Sequence, residues 1–474
     1  DTGENYKAQG YSMDDSVGQS GVEHAFESYL KGTPGERTVT ADKEGNIVSV
    51  EDTVAAKAGD TVALTLDGGL QTAAEDALAE YVPQLNSTGG GAAVAIDVHT
   101  GGVLACANWP TFDAATMTYD EAYDSLSPLF NRALQGTYSP GSTYKMVTAT
   151  AGLETGDITP STQIQDTGVM DYYGTQFRCW LYRQNGATHG METVSDALRD
   201  SCNIFFYHVG IDVGIETLTR YARAYGLGES TGIELAESTG VNAGPEYSAS
   251  VGATWYAGNT LSAAIGQSDN LFTPLQIANY VATLVNGGTR YAAHLLQRVT
   301  DADGNVTEYE PKVLNTVELQ SQNLDAIKQG MLEVVQNTKS VEAAFKNLTD
   351  AGIQVGAKTG SAQVTGQENA NGLFVCFAPY DDPQIAVCVA VEKGGSGAAT
   401  AVIAAKMLEQ YFGIEPQTDA ADQTARSAAP ADTTVQDAAP AEDGAALADE
   451  DTTAPNDDTP PADEGNGHER EEDG

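Results

Sequence analysis

Basic residues are scarce in this 474-residue chain. It carries 23 Lys+Arg against 67 Asp+Glu, a formal net charge of −44. So acidic a molecule is repelled by phosphate backbones, which excludes nucleic acid as a partner. Cysteine is scarce too: five residues (Cys106, Cys179, Cys202, Cys376 and Cys388), with no Cys-x-x-Cys pair, cannot form a disulfide framework. Long apolar runs are missing. No stretch reaches the ~18 residues needed to cross a bilayer, and no signal-peptide pattern opens the chain. The chain starts at Asp1 rather than at Met, so it reads as part of a longer protein.

The 41% of hydrophobic residues is enough for a large core, and the length allows two to four domains. Acidity is concentrated at the C-terminus. From Gln417 to Gly474 there are 17 Asp/Glu and 2 Lys/Arg, with no Phe, Tyr, Trp, Ile or Met. Such a segment cannot bury enough apolar area to offset its ordering entropy, and a disordered, solvated tail over 416–474 is expected.

Periodicity sets the expected elements. A short amphipathic helix spans Gly21 to Gly32, with Val22, Phe26, Tyr29 and Leu30 on one side. A hairpin follows (Thr38–Ala41 with Ile47–Val50), then a strand over Thr61–Leu66 and a helix from Leu70 to Val82. Past Gly89-Gly90-Gly91 comes a second hairpin, Ala92–Val98 with Gly102–Ala107, whose turn includes Asp97. Residues 142–277 are mostly helical in pattern. Strands return at Gly352–Ala357 (ending beside Lys358), Leu373–Phe377 and Gln384–Val391, before a last helix, Ala398–Phe412. Early and late strands around a helical middle predict an α+β fold with an antiparallel sheet flanked by helices.

Three short motifs carry chemistry. In Ser139-Pro140-Gly141-Ser142-Thr143-Tyr144-Lys145, Pro140 and Gly141 break the chain so that a helix starts at Ser142 and places Lys145 on the same face. A serine hydroxyl becomes nucleophilic only when a neighbouring base takes its proton, and a lysine serves only where its surroundings favour the neutral amine. Alone the spacing means little: about 0.6 Ser-x-x-Lys matches are expected by chance, and Ser28–Lys31 is such a decoy. Ser201-Cys202-Asn203 is a Ser-x-Asn on an inter-helix loop, with decoys at Ser268–Asn270 and Ser321–Asn323. Lys358-Thr359-Gly360 is rarer, expected about 0.1 times. Ser361 follows it, and Gly360 lets a substrate backbone lie alongside the strand. The order Ser-x-x-Lys, Ser-x-Asn, Lys-Thr-Gly, on helix, loop and strand, makes chance a poor explanation.

These motifs are those of the serine penicillin-recognising enzymes. Ala92–Asp113, Asn131–Ala149, Ala263–Leu275 and Gly356–Gln363 resemble a class B penicillin-binding protein, and Gly18–Arg37 resembles the end of its non-catalytic pedestal. The run Ile265-Gly266-Gln267…Thr273-Pro274-Leu275-Gln276 and the Cys179-Trp180 loop lean toward the elongation type, penicillin-binding protein 2. The resemblance implies a pedestal remnant over 1–66, a transpeptidase domain over 67–415 and the acidic tail. It also implies a peptidoglycan D,D-transpeptidase acting on stem peptides. Ser142 would be the nucleophile, Lys145 its base, Ser201 a proton relay and Lys358 a tuner of the local field. Asn203, Thr359, Gly360 and Ser361 would bind substrate, and the N–H groups of Ser142 and Ser361 would form the oxyanion hole. β-Lactams would acylate Ser142. A membrane anchor ahead of Asp1, the extracytoplasmic face of the cell membrane and a glycosyltransferase of the shape-elongation-division family are implied as well. No cofactor is implied. Ser361 stands where Thr is commoner but keeps the hydroxyl, and Ser268 stands where Gly is frequent.

Other functions share these residues: a D,D-carboxypeptidase, a β-lactamase, or a β-lactam sensor or inactive scaffold. A β-lactamase also needs a dedicated carboxylate to activate water, and none is evident. Cys179, His189 and Cys202, with Asp171 nearby, offer four metal ligands in no standard spacing. No metal is expected there, with a Cys179–Cys202 disulfide as another option. His208 reads as a packed helix residue, Cys376 and Cys388 as cross-strand neighbours, and Asp97 as a turn residue. Trp109, Tyr144 and Trp180 either line a groove or belong to the core.

Overall fold

Three runs of small and β-branched apolar residues with no polar alternation mark strands buried on both faces. The computed structural model, which describes residues 10–12, 15–85, 88–364, 366–367 and 369–414, places them side by side. The strands are β1 (Gly91–Asp97), β2 (Val103–Trp109), β3 (Gly356–Ala362), β4 (Asn371–Ala378) and β5 (Ile385–Val391). They form one antiparallel sheet in the order β3-β4-β5-β1-β2. The helices that bear on the site are α1 (Gly68–Gln84), α2 (Lys145–Thr155), α3 (Val194–Arg199), α4 (Asn203–Ala224), α5 (Pro274–Val285), α6 (Ser321–Asn337) and α7 (Ala401–Tyr411).

The sheet separates two cores. One face, with Val94, Val375 and Cys388, packs with α5 and the helical middle of the chain. The other, with Phe374, Val387 and Val389, is covered by α1 and α7. Helix α1 starts where the Asp67 carboxylate accepts the Leu70 N–H at 2.8 Å, and it buries Leu70, Ala74, Ala77, Leu78 and Val82 on one stripe. Helix α5 is held by a capping box: Thr273 Oγ1 accepts from Gln276 N and Gln276 Oε1 accepts from Thr273 N. Near the N-terminus a ribbon of Glu36–Ala41 and Ile47–Val54 is exposed along both strands.

The α+β expectation and the antiparallel sheet hold, and Asp97 is a turn residue that accepts three bonds from His99 and Thr100. Several local expectations change. The helix over Gly21–Gly32 is two short turns, Gly21–Ala25 and Glu27–Leu30, broken where buried Phe26 leaves helical geometry. The strand predicted over Gly352–Ala357 starts at Gly356 and runs through the Lys-Thr-Gly motif, because its partner β4 continues to Asn371. The last helix opens with a tighter 3-10 turn, Gly397–Thr400. Cys376 and Cys388 are not neighbours on one face. The register pairs Cys376 with Val387 and Cys388 with Val375, which sends the thiols to opposite cores. The tail over 416–474 lies outside the described residues.

Phe374 is fully buried, with its ring stacked on Phe345 at 5.8 Å. Phe374→Ala is expected to destabilise the chain by about 3–5 kcal/mol, whereas Val48→Ala on the exposed ribbon stays within about 0.5 kcal/mol. Denaturant unfolding of the two variants checks this.

Candidate active site

Pro140 and Gly141 end the incoming segment in a sharp turn. Gly141 has φ +50°, and its N–H donates to Gly266 O at 3.0 Å, where Ser139 Oγ also donates at 2.7 Å. Ser142 therefore starts not an α-helix but a 3-10 turn, Gly141–Tyr144, and α2 takes over at Lys145. The tighter winding arises because Gly141 is bound to a neighbouring loop. Thr143 and Tyr144 are buried, Tyr144 stacks on Phe272, and Ser142 alone in the turn's centre keeps partial access to solvent. Tyr144 thus belongs to the core rather than to a groove.

Lys145 is completely buried. Its Nζ donates to Ser201 O and Asn203 Oδ1, both at 2.7 Å, and lies 3.3 Å from Ser201 Oγ. Lys358, also completely buried, reaches the same hydroxyl from β3 at 3.0 Å and donates to Thr359 O at 3.1 Å. The structure thus gathers Lys145, Ser201, Asn203 and Lys358 into one network, with Ser142 three residues before Lys145. Ser201 holds the left-handed φ of +55° on the loop between α3 and α4, which turns its carbonyl onto Lys145. That loop is well anchored. Thr193 and Asp196 cap α3, Cys202 N donates to Ala197 O, and Trp180 Nε1 donates to Asp200 O. Trp180 therefore packs on the Ser-x-Asn loop.

The Lys-Thr-Gly strand lies against the nucleophile turn. A Cβ on Gly360 would stand 2.8 Å from Pro140 O and 2.9 Å from Thr143 Cγ2, so only glycine allows this approach. Ser361 Oγ accepts the Gly397 N–H at 3.3 Å, and Thr359 is almost wholly buried. The decoys are placed elsewhere. Ser28 is exposed and Lys31 lies over the Tyr11 ring. Asn270 holds backbone groups of Ala243 and Ala263, and Asn323 ties α6 to Leu153 and Glu154.

Behind the Ser-x-Asn loop, ligand atoms of Asp166, Cys179, His189 and Cys202 lie within 4.8 Å of one another. The acid is Asp166 rather than the expected Asp171, which is exposed and accepts the Gly174 N–H in a hairpin turn. Asp166 Oδ2 pairs with His189 Nδ1 at 2.7 Å because the strand Ile164–Asp166 pairs with Gly190–Glu192. No spacing rule reveals that pairing. Burial opposes ionisation of Asp166, but the His189 and Gly168 hydrogen bonds hold it down at about 2. Burial likewise opposes charge on His189, which the Asp166 and Cys179 bonds nonetheless raise to about 10. Cys179 is pulled down by its bonds to Cys202 and His189, whereas burial and Cys179 push Cys202 up. Two sulfurs, an imidazole and a carboxylate in a buried cluster suit a tetrahedral Zn2+-type ion. Cys202 lies between Ser201 and Asn203, so an ion there would pin the loop from behind.

Residues 91–409 match the penicillin binding protein transpeptidase domain, and residues 1–64 match the penicillin-binding protein dimerisation domain. The chain belongs to the penicillin-binding protein transpeptidase family. The peptidoglycan D,D-transpeptidase MrdA of Acinetobacter baumannii is 31% identical over 85% of this chain, and MrdA of Escherichia coli K12 is 30% identical over 87%. The chain spans 61% and 67% of those two proteins. A solved peptidoglycan synthase complex, described as coordinating polymerization and crosslinking, superposes with a TM-score of 0.76 at 32% identity, covering 87% of this chain and 73% of that one.

Adding Zn2+ to metal-stripped protein is expected to raise its melting temperature, by about 2.7 kcal/mol of stability at a hundredfold excess over Kd. Cys179→Ser and Cys202→Ser should each lose most of that gain in thermal unfolding.

Proposed function

We propose that the chain is the catalytic part of a membrane-anchored peptidoglycan D,D-transpeptidase of the elongation type. One observation carries the reading. Two buried lysines, from Ser-x-x-Lys and Lys-Thr-Gly, converge on the Ser201 hydroxyl beside the turn that presents Ser142. A lysine serves as a base where its surroundings favour the neutral amine, and complete burial beside a second lysine is such a setting.

In the acylation step Ser142 Oγ attacks the carbonyl of the penultimate D-Ala while Lys145 Nζ takes the hydroxyl proton. The N–H groups of Ser142 and Ser361 receive the oxyanion, Asn203 orients the substrate amide, and Thr359 and Ser361 hold the terminal carboxylate beside Gly360. The C–N bond then breaks, and the departing amine takes a proton through Ser201. Lys358 keeps that hydroxyl oriented and sets the field around it. An amine of a neighbouring strand attacks the Ser142 ester, loses its proton to the same relay and leaves a cross-link with Ser142 restored. A β-lactam enters the first half of this cycle and stays attached. The cross-linking reading also implies a glycan-polymerising partner at the extracytoplasmic membrane face, in keeping with the likeness to the synthase complex.

Intact mass after exposure to a penicillin is the test. A persistent single adduct, absent in Ser142→Ala and retained in Ser28→Ala, is the expected result. Lys145→Ala should slow adduct formation by about 10²–10⁴-fold. Fast drug loss without an adduct means a β-lactamase. Neither adduct nor drug loss in folded protein overturns the catalytic reading, and a stable adduct without cross-linking of peptide substrate leaves the sensor.

A further inference from the structure

Outside the reacting groups, one charged cluster joins the segment that leads to Ser142 to the end of β5. Arg132, ten residues before Ser142, is nearly fully buried, and its Nε donates to Glu392 Oε1 at 3.0 Å. Its other nitrogens donate to the carbonyls of Leu126 and, at 3.4 Å, Ser127. Tyr138, four residues before Ser142, donates its hydroxyl to the same Oε1 at 2.9 Å. Burial and the Glu392 charge push the phenol up, so it remains a donor. Glu392 Oε2 accepts the Gly90 N–H at 2.7 Å, and Glu392 N donates to Gly90 O at 2.8 Å.

Glu392 is the first residue after β5, and the loop that it opens leads to the other half of the site. Lys393 N donates to Asn371 Oδ1 at 2.9 Å, and Gly395 N donates to Ala370 O at 2.8 Å. Two residues later Gly397 donates to Ser361 Oγ, with its Cα so close to Gly360 that any Cβ would strike the Gly360 backbone. A single carboxylate therefore grips the segment that delivers Ser142 and anchors the loop that backs Gly360 and Ser361. The nucleophile turn and the Lys-Thr-Gly strand come from chain segments more than 200 residues apart, and acylation needs them registered to a fraction of an ångström.

We infer that Glu392 is a positioning residue for the acyl transfer: through Arg132 and Tyr138 on one side and the 392–397 loop on the other, it fixes Ser142 relative to the substrate-carboxylate subsite. It touches no substrate. The inference rests on the acyl-transfer reading above.

The test measures penicillin acylation of the full chain under saturating and subsaturating drug, well below each variant's melting temperature. Glu392→Gln keeps the shape and removes the charge. Glu392→Asp keeps the charge and is too short to hold Gly90 and Arg132 together. Tyr138→Phe removes one bond. Leu348→Ala, in the core behind the sheet, is the control for stability loss alone. Expected is a drop of about tenfold or more in the saturating acylation rate for both Glu392 variants and a smaller drop for Tyr138→Phe. Non-covalent drug affinity should change less than the rate, and Leu348→Ala should acylate at the parental rate despite its lower melting temperature. Parental acylation in Glu392→Asp or in folded Glu392→Gln overturns the inference, as does a loss in Leu348→Ala that matches theirs at equal melting temperature. No adduct in the unmodified chain overturns the acyl-transfer reading itself, and the inference with it.

Discussion

Two lysine amines meeting at one serine hydroxyl, away from solvent, is the constraint around which this molecule is arranged. Buried amines need hydrogen-bond partners, and here the partners come from three separate elements. Ser201 O and Asn203 Oδ1 receive Lys145, and Ser201 Oγ and Thr359 O receive Lys358. For those bonds to coexist, the loop before α4 has to sit between α2 and β3, and the sheet has to carry Lys358 at mid-strand. The doubly buried sheet supplies that rigidity: β3 is zipped to β4 along its whole length, so Lys358 has no freedom to withdraw.

Glycine does the complementary work. Gly360 lets the strand touch the nucleophile turn, Gly141 makes the turn, and Gly266 supplies the carbonyl to which it is tied. These are contacts between backbones, so one extra carbon would separate surfaces whose chemistry requires contact. The polar network and the glycine contacts specify the same geometry from opposite directions, one by attraction and one by absence of bulk.

The proposed catalytic residues were legible because the chemistry assigned to them imposes a spacing. Ser-x-x-Lys, Ser-x-Asn and Lys-Thr-Gly are local patterns, the first two with decoys elsewhere in the chain, and it was their order, with the family resemblance, that allowed Ser142, Lys145, Ser201, Asn203 and Lys358 to be named. The sheet was legible because its strands are apolar without alternation. What escaped was set by pairing between distant segments. Nothing near Asp166 announces that its strand will run beside Gly190–Glu192, so Asp171, nearer in sequence to Cys179, looked the better fourth ligand. Cys376 and Cys388 looked symmetrical about a turn, yet a one-residue difference in register sends their side chains to opposite cores. The 3-10 start at Gly141 was likewise invisible, because its cause is a hydrogen bond to Gly266, 125 residues away.

Ser201 occupies a backbone conformation that serine rarely adopts, and the molecule is less stable for it. Glycine or asparagine would relax that corner, and a drift toward greater stability would favour either one. Either would also remove the hydroxyl on which both lysines converge. The position is thus held by opposing pressures, and sequence change that merely strengthens the fold is blocked at the point where the two amines meet.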